Sequence, residues 1–195
     1  MIYYIGDLHL MHENCLKFDN RPFETVEEMN EAIVANWNKT VTKNDTVYIV
    51  GDVCMKVTPE VLQTLRRLNG TKYLAIGNHD SRLVKELSKL DPSAQNMYFS
   101  QMKESFFIKD EDRNVFISHF PHASWNRMEH GSYHVYAHLH TNLMNPVGAF
   151  MLSHMYAANA GCMLHHYTPV TLTQLFEDMM PYRSFMFEES PIVRQ

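Results

Sequence analysis

The segment Ile2-Tyr3-Tyr4-Ile5-Gly6-Asp7-Leu8-His9 opens the chain as a short apolar run that stops at a glycine and delivers an aspartate and a histidine. The run predicts a buried strand over residues 2–5, and Gly6 lets the backbone turn where it ends. The same grammar recurs. Residues 46–50 form an apolar run before Gly51-Asp52, and residues 72–76 form another before Gly77-Asn78-His79-Asp80. Residues 115–118 lead into His119, and residues 134–137 lead into His138-Leu139-His140. Helical patterns separate the first three strands. Thr25 and Glu28 form a capping box ahead of Val26, Met29, Ile33 and Trp37, which keep helical spacing over residues 25–38. Thr58-Pro59 starts a second helix that Gly70 is expected to end, and residues 81–90 read as a third.

This alternation predicts an α/β domain. The second half is richer in strands: residues 106–108 and 115–118 flank the polar turn 109–114, and residues 134–137 and 155–158 are further short strands. Residues 171–180 read as a last helix capped by Thr171. Residues 181–195, with Pro181 and Pro191, carry no clear period. The expected organisation is one domain over residues 1–180 and a C-terminal tail over 181–195.

In open α/β sheets a site forms beyond the carboxyl ends of the strands, so the polar residues after these strands converge on one place. Aspartate oxygen, imidazole nitrogen and an amide oxygen together suit manganese, iron or zinc. Two such ions about 3.5–4 Å apart can clamp the attacking and leaving oxygens of a phosphoryl transfer. A pair of that kind needs a bridging carboxylate, and Asp52 is the best placed. Asp7 and His9, like His138 and His140, share a face if their strands continue. If the chain turns there, that expectation weakens, and the members of a pair can serve different metals.

The ordered set Asp-x-His, Gly-Asp, Gly-Asn-His-Asp, His and His-x-His, from Asp7 to His140, resembles the calcineurin-like metallophosphoesterases. The likeness is greatest to small single-domain bacterial and phage-type members. Asn20-Arg21-Pro22-Phe23, Asn159-Ala160-Gly161 and Pro169-Val170-Thr171-Leu172 extend it towards the C-terminus. The resemblance implies an α-β-β-α sandwich of two mixed sheets flanked by helices. It implies that Asp7, His9, Asp52 and His140 bind one metal and that Asp52, Asn78, His119 and His138 bind the other. Asp52 and a water or hydroxide would bridge them. His79 would bind no metal and would act on the phosphate or the leaving group. The cofactors implied are two divalent ions, manganese first, with iron, zinc, nickel or magnesium as alternatives. Two positions depart from the family pattern: Met55 replaces a second aspartate, and Ala137 replaces a glycine before His-x-His.

Other residues near the motifs have expected roles. His12 and Asn14 follow the first pair and are candidates to line the substrate pocket. Arg21 is a candidate to grip a phosphate oxygen in bidentate fashion. Asp80 either orients His79 or caps the helix that follows. His122, His130, His134, His154, His165 and His166 match no motif.

The bulk composition narrows the partners. The 195 residues carry 17 Lys+Arg against 22 Asp+Glu, a formal net charge of -5, and no basic stripe marks a long nucleic-acid interface. Small phosphate esters, nucleotide-type substrates or nucleic-acid ends remain. No apolar run reaches the length of a membrane span, and no signal peptide opens the chain. Three cysteines make no disulfide framework and fit a reducing, cytoplasmic setting. The 14 methionines are expected mostly as core filler. The functional expectation is a phosphomonoesterase or phosphodiesterase. The competing expectation is a metal-stabilised interaction module that has lost catalysis, and His79 is the residue such a scaffold has no reason to keep.

Overall fold

The computed structural model describes residues 1–188, with side chains as far as Ser184. In chain order the elements are β1 (Ile2–Ile5), α1 (Asn14–Phe18), α2 (Val26–Thr40), β2 (Thr46–Ile49), α3 (Pro59–Arg67), β3 (Thr71–Ala75), α4 (Ser81–Leu87) and α5 (Pro92–Asn96). There follow β4 (Gln101–Lys103), β5 (Ser105–Asp110), β6 (Arg113–Ser118), β7 (Tyr133–Tyr136), α6 (Pro146–Ser153), β8 (Ala157–Asn159) and α7 (Leu172–Glu188).

Two four-stranded sheets result, ordered β1-β2-β3-β4 and β5-β6-β7-β8. In the first sheet all neighbours are parallel, and Ile5, Ile49 and Leu74 stand level across it. Asp7, Asp52 and Asn78 therefore leave the same sheet edge. In the second, β5 and β6 form an antiparallel hairpin while β6, β7 and β8 run parallel, so His119 and His138 also emerge together. The sheets are joined at their margins. Gly6 N donates to Ala160 O at 2.6 Å and Cys162 N donates to Gly6 O at 2.9 Å, just beyond β1 and β8. Tyr4 adds an antiparallel bridge to Val170 on the open side of β1.

Side-chain alternation builds the layers. Ile5, Val47, Ile49 and Leu74 face Met29, Ile33 and Trp37 of α2, Leu65 of α3 and Leu83 of α4. Tyr4, Tyr48, Val50 and Ala75 point the other way, towards Phe106, Val115, Ile117 and Val135 of the second sheet. Beyond that sheet, Tyr136 and Ala157 pack with Trp125 and with Met151 of α6. The sandwich implied by the resemblance is present.

Several local expectations need correction. Gly70 does not cap α3, which ends at an extended Leu68. Gly70 instead adopts φ +84° in the turn into β3, where a Cβ would stand 2.9 Å from Asp45 O. The last helix does not stop at Met180. Thr171 and Gln174 close a reciprocal capping box, and α7 then runs through Pro181 to Glu188, so these residues are helix rather than tail. Residues 189–195 lie outside the described residues. Helix α6 went unforeseen, although Asn145-Pro146 is a proper start: the Asn145 side chain accepts from Gly148 N at 2.7 Å. Met29, Met151 and Met179 are buried, whereas Met97, Met144, Met155 and Met180 are exposed, so core filling explains only some methionines. The three cysteines are buried free thiols.

Candidate metal centre

The strands stop before the motif residues, and the backbone then turns sharply. Asp7, His9, Asp52, His138 and His140 all adopt positive φ, between 49° and 70°. Non-glycine residues rarely enter this left-handed region, and concentrations of them mark sites where geometry outweighs local strain. The two glycines that precede motif residues at β2 and β3 have steric reasons. A Cβ on Gly51 would be driven into the His119 ring, and one on Gly77 into the Asp52 carboxylate.

Because the chain turns, His138 and His140 diverge. Ligand atoms of Asp7, His9, Asp52 and His140 lie within 4.8 Å of one another, and so do those of Asp52, His119 and His138. Asp52 belongs to both groups. Asn78 joins the second, its Oδ1 3.0 Å from His119 Nε2. The structure thus gathers all seven residues expected to be ligands into two adjoining groups.

The donor inventory shows that cations fit these groups. His119 Nδ1 lies 2.9 Å from Val50 O, which can only accept, so the ring hydrogen belongs there. In the neutral ring Nε2 then presents a lone pair to two further acceptors, Asn78 Oδ1 and, at 3.4 Å, Asp52 Oδ2. His140 repeats the pattern: Nδ1 faces the Asp19 carboxylate at 2.8 Å, while Nε2 faces His9 Nε2 at 3.4 Å. In the neutral rings, the Nε2 lone pairs of His119 and His140 converge with carboxylate and amide oxygens, and a divalent ion is a group that satisfies such a set.

Burial and neighbouring charges pull the ligand residues in different directions. Burial pushes the Asp7 carboxyl up to about 6, against the opposing pull of His140 and His119. Burial pushes the His9 imidazole down to about 3, leaving a neutral ring. At Asp52 burial also acts upward, but the His119 ring beside it, the His79 amide and His9 prevail and bring it down to about 2. At His140 burial acts downward, yet Asp19 and Asp7 raise the group overall.

The surrounding shell corrects two sequence expectations. Arg21 does not reach a substrate. It is buried, and its donors are taken up by the Asp19 carboxylate, the main-chain oxygens of Asp7 and Leu8 and the Met29 sulfur. Arg21 ties the loop after β1 to Asp19, which in turn orients His140. Asp80 neither orients His79 nor caps α4 through its side chain. It is buried, and its two oxygens accept from the amides of Asp52, Val53 and Gly77, each at 2.8 Å. Asp80 therefore staples the loop after β2 to the loop after β3.

His79 belongs to neither group. Its amide donates to Asp52 Oδ1 at 2.9 Å, and its side chain is 36% exposed with Nε2 3.9 Å from Asp52 Oδ2. His12 packs near His9, with ring centroids 5.7 Å apart. Together with Asn14, Met55 and Lys56 it lines an open cavity of about 430 Å³. Lys56 was not singled out in the sequence, nor was Asp19. No residue pattern marks Asp19, because its partner His140 is 121 positions away.

Residues 1–146 match the model of the calcineurin-like phosphoesterases, and the chain belongs to that metal-dependent family. An uncharacterised protein of Methanocaldococcus jannaschii is 42% identical over 81 residues, a match that covers 40% of this chain and 46% of that protein. The Gene 66 protein of Mycobacterium phage L5 is 26% identical over 73% of this chain and 78% of its own length. The crystal structure of an Aquifex aeolicus protein of unknown function shares the fold, with a TM-score of 0.66 at 21% identity, covering 91% of this chain and 98% of that one. No helix among the described residues is long and apolar enough to cross a membrane.

Proposed function

We propose that this protein hydrolyses phosphate mono- or diesters at a dinuclear centre. Asp7, His9, Asp52 and His140 hold one divalent ion, and Asp52, Asn78, His119 and His138 hold the second. The observation that carries this reading is the shared carboxylate: Asp52 alone belongs to both groups. When bound, two divalent ions supply Lewis acidity towards a phosphoryl oxygen and an activated water.

The chain's own residues do the rest. Asp19 keeps the His140 ring hydrogen on Nδ1 and the lone pair on Nε2. Asp80 fixes the amides that lead into Asp52 and Asn78. His79 stands at the open rim, its Nε2 3.9 Å from Asp52 Oδ2 and in no hydrogen bond among the described residues, so that nitrogen can donate a proton to the departing ester oxygen. Imidazole is the side chain most often used for such a transfer. The cavity beside His12, Asn14 and Lys56 accepts the part of the substrate that extends from the phosphate, and Lys56 and Glu13 line it with charges of both signs. The carboxylate, imidazole and amide set suits manganese.

The test is a panel of aryl and alkyl phosphate esters with chelator-stripped protein. Hydrolysis should vanish on stripping and return with manganese. Undiminished hydrolysis by thoroughly stripped protein would contradict the reading.

A further inference from the structure

Two phenylalanines stand in water beside the metal centre. Phe18, at the end of α1, is 57% exposed, and Phe120, immediately after His119, is 46% exposed. Neither joins any of the apolar clusters that build the core. Single exposed apolar side chains are ordinary. The placement of these two is specific, because each leans on the imidazoles of a different ligand group. The Phe18 ring meets His140 at 5.7 Å and His9 at 6.3 Å, and it also meets His12 at 5.8 Å. The Phe120 ring meets His138 at 4.6 Å and His119 at 5.1 Å. The contacts are tilted or edge-on, with interplanar angles from 56° to 89°. The histidines thus brace each ring while leaving aromatic surface open to solvent.

We propose that Phe18 and Phe120 are stacking platforms for the planar groups on the two sides of the scissile phosphate, so that the substrate is a short nucleotide phosphodiester. This rests on the phosphoesterase reading above. In this arrangement one ester substituent would lie on the side of His9 and His140 and the other on the side of His119 and His138, and each of those sides carries an exposed aromatic ring. Base-on-aromatic stacking tolerates any base, because every base has a π-face. It needs no basic groove, in keeping with a net charge of -5. A short or terminal nucleotide fits better than a long strand, which would need phosphate-neutralising side chains along its path.

The experiment has a binding arm and a hydrolysis arm, both on manganese-loaded full-length protein. Calorimetry compares adenosine 5′-monophosphate with ribose 5-phosphate, which differ by the base alone. The nucleotide should bind about 5- to 150-fold more tightly, the range expected for one stacked base. Hydrolysis compares a diadenosine dinucleotide with the same dinucleotide lacking its bases. The ratio of kcat/KM between the two should fall in Phe18→Leu and again in Phe120→Leu, and Phe→Trp at either position should restore it. Leucine keeps the apolar bulk, so a merely structural role would not follow this order. Equal affinity for the two monophosphates, or ratios that ignore the leucine variants, would overturn the proposal. A base preference in binding that follows the variants, with no ester cleaved, would support the platforms and refute the phosphoesterase reading.

Discussion

His140 Nδ1 lies 2.8 Å from both carboxylate oxygens of Asp19, and Asp19 is held in turn by Arg21 through Nε and Nη2. A carboxylate behind a metal-binding imidazole fixes its tautomer and orientation, and removing one typically costs 10–100-fold in affinity. Asp19→Asn should therefore weaken manganese binding by roughly 10-fold or more. Calorimetric titration of stripped protein reads this directly. Wild-type affinity in the variant would reduce Asp19 to a partner of Arg21 alone.

Arg21 makes an opposite prediction from the one its sequence position invites. A substrate-gripping arginine would raise KM when removed. A buried arginine whose loss strands Asp19 should instead cost stability, by about 3–5 kcal/mol. For a chain of this size that is a Tm fall of at least about 6 °C. Thermal unfolding of metal-loaded Arg21→Ala decides between them: an unchanged Tm with a raised KM would restore the substrate role.

Asp7 ties metal binding to pH. Burial lifts its carboxyl from 3.8 to about 6 in the metal-free fold. A raised folded value means that the native state holds the proton more tightly than the unfolded chain does. The stability contributed is present below the unfolded value and is lost as the pH rises through about 6. A divalent ion takes the proton's place, so manganese should raise Tm more at about pH 7.5 than at about pH 5. A larger rise at the lower pH would contradict this assignment.

His79 separates chemistry from binding. His79→Ala should keep its metals and fold, because the ring makes no hydrogen bond and only the amide anchors Asp52. It should lose kcat by roughly 10²–10⁴-fold on alkyl esters, the usual worth of a positioned acid. The loss should shrink for nitrophenyl esters, whose leaving group needs little protonation. Elemental analysis beside the kinetics is the check, and metal lost together with activity would make His79 a ligand.

The strands, the longer helices and the motif residues were legible because they are local. Apolar runs ending in Gly6, Gly51 and Gly77 declare themselves in sequence, as do the Thr25 and Thr58 caps. The residues that hold the site rigid were not. Arg21 and Asp80 look like functional charges in a string of letters, and only their burial shows that main-chain groups of other loops consume them. Asp19 was invisible because its partner comes from the far end of the fold. The left-handed turns at His138 and His140 decide that the two rings part company, and no spacing rule predicts that. Phe18 and Phe120 match no motif, and only their exposure beside the ligand histidines sets them apart.

The shared role of Asp52 is most directly tested by counting metal. Stripped protein is reconstituted with manganese, freed of excess ion and analysed for metal per chain. Wild-type protein should hold two ions. Asp52→Asn should lose both, because one carboxylate serves both groups, whereas His119→Ala should weaken only one position. Two ions retained per chain in Asp52→Asn, at wild-type affinity, would contradict the dinuclear centre built on Asp52.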